Sequence, residues 1–109
     1  MKRGDVVLLV AQGDMGKPRP GVIVQADELG ETTNSVLICP MSSDVSEFHH
    51  LRPVIQPSAG NGLRLRSQIM TDKINALRRD RVRQVLGSLD DEASERLNSA
   101  LLTVLGLAR

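Results

Sequence analysis

Short apolar runs, each cut off by glycine, proline or polar clusters, fill the chain up to residue 87, and one longer amphipathic pattern comes after them. Val6 to Ala11 is continuously apolar, too short for a helix and suited to a buried strand. Gln12 to Pro20 collects Gly13, Gly16 and Pro18 and predicts a loop. Pro18 and Pro20 flank Arg19 and exclude a helix interior there. Gly21 to Ala26 predicts a second strand centred on Val22, Ile23 and Val24, and Glu28 to Asn34 a connecting loop. Ser35 to Cys39 predicts a third strand closed by Pro40, which cannot donate to a ladder. Met41 to His50 reads as another loop, and Leu51 to Gln56 as a fourth strand that Pro53 assigns to an edge.

Pro57 to Gly62 is dense turn chemistry. Leu63 to Met70 then alternates with the period of a half-buried strand, Leu63 and Leu65 on one face, Arg64, Arg66 and Gln68 on the other. Lys73 to Leu77 fits either a short strand or a helical turn. Arg81 to Leu86 alternates again, with Gly87 as its expected end. From there the period changes. Asp90 can cap a helix whose first turn holds Asp91 and Glu92, where the dipole favours anions. Ala93, Leu97, Ala100, Leu101, Val104 and Leu105 recur at helical spacing, and Gly106 marks the end. About six short strands and one terminal amphipathic helix predict a mainly β fold, a small barrel or curled antiparallel sheet.

Composition narrows the choices. At 109 residues the chain has room for a single domain, residues 1–109, with a modest core. One Cys, Cys39, excludes a disulfide framework or a zinc knuckle within one chain, and burial in its apolar strand makes it a small hydrophobe. One Phe and no Trp or Tyr exclude base recognition on an aromatic platform. The N-terminal apolar run is too short for a signal peptide, and no segment approaches a membrane span, which predicts a cytoplasmic protein.

Charge is uneven although the net is only +1. Residues 64–83 hold seven Lys/Arg (Arg64, Arg66, Lys73, Arg78, Arg79, Arg81, Arg83) against Asp72 and Asp80, while the flanking segments are each slightly acidic. Such a block fits a polyanion surface, and equally a solvated, salt-bridged face.

Candidate chemistry is sparse. His49 and His50 are adjacent, so in a strand they would point to opposite faces. Neither they nor Asp44 and Glu47 show metal-ligand spacing, and no metal site is expected. Gly60-Asn61-Gly62 is a hairpin turn rather than a phosphate loop. More informative are Arg19, caged between prolines at the start of the second strand, and Ser42-Ser43 after the third. An arginine fork and hydroxyls at the ends of neighbouring strands suit a phosphate. A Pro-Arg-Pro that simply fixes a turn accounts for the same residues.

Five stretches in register resemble the MazF/PemK family of toxins. They are Lys2-Arg3-Gly4-Asp5-Val6; Gly16 to Gln25 (Gly-Lys-Pro-Arg-Pro-Gly-Val-Ile-Val-Gln); Val36 to Ser43 (Val-Leu-Ile-Cys-Pro-Met-Ser-Ser); Ser67 to Ile74 (Ser-Gln-Ile-Met-Thr-Asp-Lys-Ile); and Leu86 to Glu92, leading into the helix. The resemblance implies an SH3-like barrel with a C-terminal helix, usually a homodimer. It also implies metal-independent cleavage of single-stranded RNA at short sequence motifs, without a cofactor, restrained by a cognate antitoxin. The family's functional arginine falls on Arg19 and its hydroxyl residue on Ser42. Asp14 occupies roughly the place of an acidic first-loop residue. Ser42 stands where Thr is commoner, which keeps donor and acceptor. Ser67 stands where one branch has a basic Asp, so the general base is left open.

The chemistry this resemblance implies is attack by the substrate's own 2′-hydroxyl, leaving a 2′,3′-cyclic phosphate and a 5′-hydroxyl. Arg19 and Ser42 are the expected catalytic residues, with Asp14, Ser43 and Ser67 as candidate supporting groups. Lys17, Arg64, Arg66 and Gln68 are the expected RNA contacts, and Arg78, Arg79, Arg81 and Arg83 an antitoxin or RNA face. Two alternatives use the same fold. A gyrase poison would carry a C-terminal Trp-Gly-Ile, whereas this chain ends Leu105-Gly106-Leu107-Ala108-Arg109. A non-catalytic SH3-like binding module is the other.

Overall fold

A computed structural model describes residues 1–10, 17–45 and 50–108. Among these, seven strands precede one helix: β1 (Asp5–Leu9), β2 (Arg19–Ile23), β3 (Ser35–Ser42), β4 (Val54–Ile55), β5 (Ser67–Ile69), β6 (Asn75–Arg78), β7 (Val82–Ser88) and α1 (Asp91–Val104). Three single 3-10 turns lie at Asp27–Leu29, Thr71–Lys73 and Arg79–Arg81. The sheet runs β4-β5-β3-β2-β1-β7, with β6 also on β3. All its pairings are antiparallel.

β3 is the node. Its first half pairs with β6 and its last two residues with β5, while β2 lies along its middle. The chain leaves β6 at one edge and enters β7 at the other through the 3-10 turn at Arg79–Arg81. Backbone bonds from Arg79 N–H to Asn34 O (3.0 Å) and Val10 N–H to Arg81 O (2.9 Å) tie that crossing to both sides. The sheet is thereby curled into a half-barrel.

Both faces of the curl are buried. Val6, Val22, Cys39, Met41 and Ile69 pack beneath α1 with Ala93, Leu97 and Leu101. Their strand neighbours Val7, Leu9, Ile23, Val36 and Ile38 form a second cluster with Leu77 and Val82. This explains why Val6–Leu9 and Val22–Val24 are apolar without alternation: each face has its own core. The helix forms as its pattern predicts. Asp90 accepts a hydrogen bond from Ala93 N–H at 2.8 Å, and Gly106 lies just past the end with φ +74°.

Several boundaries differ from the sequence pattern. β3 passes through Pro40, which lacks only a donor; its carbonyl accepts from Met70 N–H at 2.9 Å. The expected strand over Leu63–Met70 shrinks to Ser67–Ile69, and Leu65 is 63% exposed because no strand covers its side. Leu51–Gln56 likewise contains only two strand residues. β7 continues through Gly87 because the 57–62 turn lies against it there. A Cβ on Gly87 would stand 2.2 Å from Gly60 O, and Ser88 N–H donates to that same oxygen at 2.9 Å. Asn61 holds this turn, accepting from Ser58 and Leu63 N–H and donating to Gln56 O. The ambiguous Lys73–Leu77 resolves into the end of a 3-10 turn and then β6.

Candidate active site

Cross-strand partners in an antiparallel sheet project to the same face. Arg19 on β2 is partnered with Leu9 on β1, and Leu9 with Val82 on β7. The β2–β3 register pairs Ile23 with Ile38, Val22 with Cys39 and Gly21 with Pro40. Continued by two residues, it sets Arg19 opposite Ser42. Ser42 is partnered in turn with Gln68 on β5, and Gln68 with Val54 on β4. By this alternation Arg19, Ser42 and Gln68 belong to the face of the Leu9–Ile38 cluster, with Gln68 beside Ser42 and Arg19 two residues beyond the last β2–β3 pair.

Gly21 lets β1 and β2 carry this face. A Cβ there would meet Leu9 Cδ1 at 2.4 Å and Cys39 O at 3.2 Å. Arg19, at the start of β2, is exposed. Among the described residues its guanidinium has no ion pair or hydrogen bond, so its donors are open to an anion. Ser42 is half-buried at the end of β3, and its Oγ accepts from Asp44 N–H at 3.1 Å. With that lone pair engaged, the hydroxyl hydrogen is free to be donated outward. An arginine fork and a hydroxyl donor on one face make a site for an anionic oxygen; neither is a base at neutral pH.

Gln68 is only 1% exposed. Its Nε2 donates to Asp44 O at 3.0 Å, while Oε1 has no partner among the described residues. Expected as an RNA contact, it lies instead beneath the segment after β3. Ser67 lies on the other face. It is partnered with Ile55, which belongs to the helix-side core, and its buried hydroxyl donates to Leu65 O at 2.9 Å. The alternation that puts Gln68 beside Ser42 necessarily sends Ser67 to the opposite face. Ser43 lies just past β3 and is exposed. Lys17, Arg64 and Arg66 are exposed, outside the strands. Asp14 and His49 fall outside the described residues, and His50 is exposed.

The four arginines around the crossing have different surroundings. Arg79 donates to Thr33 O (2.8 Å) and Gly30 O (2.5 Å), clasping the 27–34 loop. Arg78 pairs with Asp80 at 2.5 Å, both well exposed. Arg81 is half-buried and Arg83 exposed. Arg52, which the sequence pattern offered no reason to single out, is buried and grips Asp72 with two hydrogen bonds of 2.8 and 2.9 Å. Thr71 Oγ1 donates to Leu51 O beside it.

Cys39 is fully buried in the helix-side cluster with Val22 and Met41, and burial pushes its thiol up to about 12; Arg3 opposes the shift and Asp72 adds to it. It has no nucleophilic character. Among the described residues no group of three or more His, Cys, Asp or Glu side chains could hold a metal ion. Nor, among the described residues, is any helix long and apolar enough to cross a membrane.

Comparison with known proteins agrees with this architecture. A family model described as a PemK-like, MazF-like toxin of type II toxin–antitoxin systems matches residues 2–105. A probable endoribonuclease MazF of Mycolicibacterium smegmatis is 35% identical over 109 residues, covering 99% of both chains. Among solved structures, an endoribonuclease in complex with its cognate antitoxin from a mycobacterial species superposes with a TM-score of 0.80 at 23% identity. That match covers 100% of this chain and 96% of the other. A MazE–MazF structure from Deinococcus radiodurans gives 0.78 at 18% identity, covering 99% and 97%.

Proposed function

Because the chain belongs to the PemK-like, MazF-like toxin family of type II toxin–antitoxin systems, we propose that it is a toxin acting as a metal-independent, sequence-specific endoribonuclease on single-stranded RNA. The substrate's 2′-hydroxyl attacks the adjacent phosphorus, the 5′-oxygen leaves, and the products carry a 2′,3′-cyclic phosphate and a 5′-hydroxyl. The nucleophile arrives with the RNA, so the protein must position the phosphate and stabilise the charge that builds on it. Arg19 supplies a charged donor fork and Ser42 a hydroxyl hydrogen to the non-bridging oxygens. DNA lacks the 2′-hydroxyl and is not cut. Lys17, Arg64 and Arg66 hold flanking phosphates.

The observation that supports this reading is the β2–β3 register, which continued by two residues brings Arg19 opposite Ser42, whose oxygen is already engaged by Asp44 N–H. Two donors share one face, and the arginine has no internal acceptor among the described residues. We take residues 1–109 as a single toxin domain that works in the cytoplasm as a homodimer. Its cognate antitoxin is an acidic and apolar segment that folds over the face bearing Arg78, Arg81 and Arg83.

The test is incubation of wild-type and Arg19→Ala protein with a long single-stranded RNA in EDTA, mapping the ends. Defined cuts by the wild type alone, with cyclic phosphate ends, are expected. Intact RNA with folded wild-type protein, or equal cutting by both, overturns the assignment.

A further inference from the structure

Gln68 is a buried polar side chain that the proposed cleavage mechanism does not use. It is 1% exposed and stands beside Ser42 as its partner on β5. Its amide nitrogen donates to Asp44 O at 3.0 Å, and Ser42 Oγ accepts from Asp44 N–H at 3.1 Å. One residue, Asp44, is thus held by both of its backbone groups, from two side chains that are neighbours on the sheet. The other half of the amide, Oε1, is buried without a partner among the described residues.

We infer that Gln68 is a positioning residue: its Nε2–H···O bond latches Asp44, and the latched Asp44 N–H orients the Ser42 hydroxyl toward the phosphate held by Arg19. This rests on the nuclease reading. The physical case has three parts. A half-satisfied amide in a buried place is disfavoured against an apolar side chain of the same volume, so packing alone does not explain it. A donor with no exposure cannot be shared with water, so the Asp44 carbonyl is held firmly. A serine hydroxyl rotates freely unless its oxygen is engaged; once Asp44 N–H occupies one lone pair, the hydrogen is confined to the remaining directions. Gln68 therefore acts on the reaction through Asp44 and Ser42, without touching RNA.

Gln68→Met keeps side-chain length and removes both amide groups. Two readouts separate positioning from packing and from RNA contact. Backbone ¹⁵N order parameters at Asp44 and Val45 are expected to fall from the rigid range near ~0.85 toward ~0.6 or below. Single-turnover cleavage of a defined RNA is expected to slow by about 10- to 100-fold, with KM within about twofold. Gln68→Asn, whose amide is one methylene too short for Asp44 O, is expected to behave alike and serves if the Met variant fails to fold. Unchanged order at Asp44 overturns the latch. Loosened Asp44 with unchanged kcat overturns its link to Ser42, and a loss confined to KM identifies Gln68 as an RNA contact instead. If folded wild-type protein cuts no RNA, the nuclease reading and the catalytic consequence of the latch both fall. The order parameters then still decide whether the latch itself exists.

Discussion

If Arg19 and Ser42 act on the same phosphate, their removal must be non-additive. Arg19 is exposed, at a strand end, without internal partners among the described residues. Arg19→Ala should therefore change stability by less than ~0.5 kcal/mol. Loss of a preorganised charged donor costs about 2.7–4 kcal/mol of transition-state stabilisation, or roughly 10²–10³ in kcat. Ser42 donates to a charged phosphate oxygen, a hydrogen bond worth about 1.5–3 kcal/mol, so Ser42→Ala should cost roughly 10- to 150-fold. Independent action would make the double variant the product of the two losses. Sharing one phosphate predicts that the double variant falls short of that product by at least ~0.5 kcal/mol, within the usual range for residues in contact. Single-turnover rates of the four proteins in EDTA, at saturating protein, measure this cycle directly. Ser43→Ala is the control and should stay within about twofold. Strict additivity, or an Arg19→Ala rate within tenfold of wild type, would falsify the shared-phosphate geometry.

The packing leads to three more expected outcomes. Gly87→Ala brings a methyl within 2.2 Å of Gly60 O and displaces the turn that Ser88 N–H holds. The cost should be about 2–3 kcal/mol, a fall in Tm of roughly 10–20 °C by thermal unfolding; an unchanged Tm would show that the turn yields freely. Asp72→Asn removes the carboxylate charge that Arg52, 6% exposed, grips with two hydrogen bonds, while Asp80→Asn affects a pair whose side chains are 73% and 60% exposed. Urea midpoints should show a loss of ~3 kcal/mol for the first, the low end for a buried pair because Asp72 is partly exposed, and under ~0.5 kcal/mol for the second. Equal losses would contradict the burial argument. Cys39 keeps its proton in the fold up to about 12, against an ordinary 9.0. Between these values the unfolded chain binds fewer protons, so stability falls as pH rises. Cys39→Ala should flatten that decline in denaturation curves taken across pH 8 to 11, and a slope identical to wild type would refute the assignment.

Sequence and structure agree most closely where the governing interactions are short-range. Asp90, the acidic first turn and the spacing from Ala93 to Leu101 specify α1 almost residue by residue, because capping and helical periodicity act within one or two turns. The apolar runs of β1 and β2 are equally legible, although their lack of alternation hides the fact that each strand serves two cores. Arg19 and Ser42 can be picked out singly, by residue type and by family resemblance.

Their sharing of one face is another matter. It depends on the β2–β3 register, and a slip of one residue would turn Ser42 to the helix-side core and Met41 toward Arg19. The same parity separates Ser67 from Gln68: neighbours in the chain, they lie on opposite faces, one bonded to its own turn and the other to Asp44. Ser42-x-Asp44 has the spacing of a local hydroxyl–backbone turn and is readable from the chain alone; the Gln68–Asp44 bond, 24 residues apart, is not. Leu65 keeps the alternation yet finds no partner, and Gly87 carries a strand onward because another segment needs the space of its missing side chain. Local pattern is enough to say which segments form strands and where the helix begins. Which face each side chain serves is a long-range matter, settled only when both cores close and a single register buries the apolar positions on both sides.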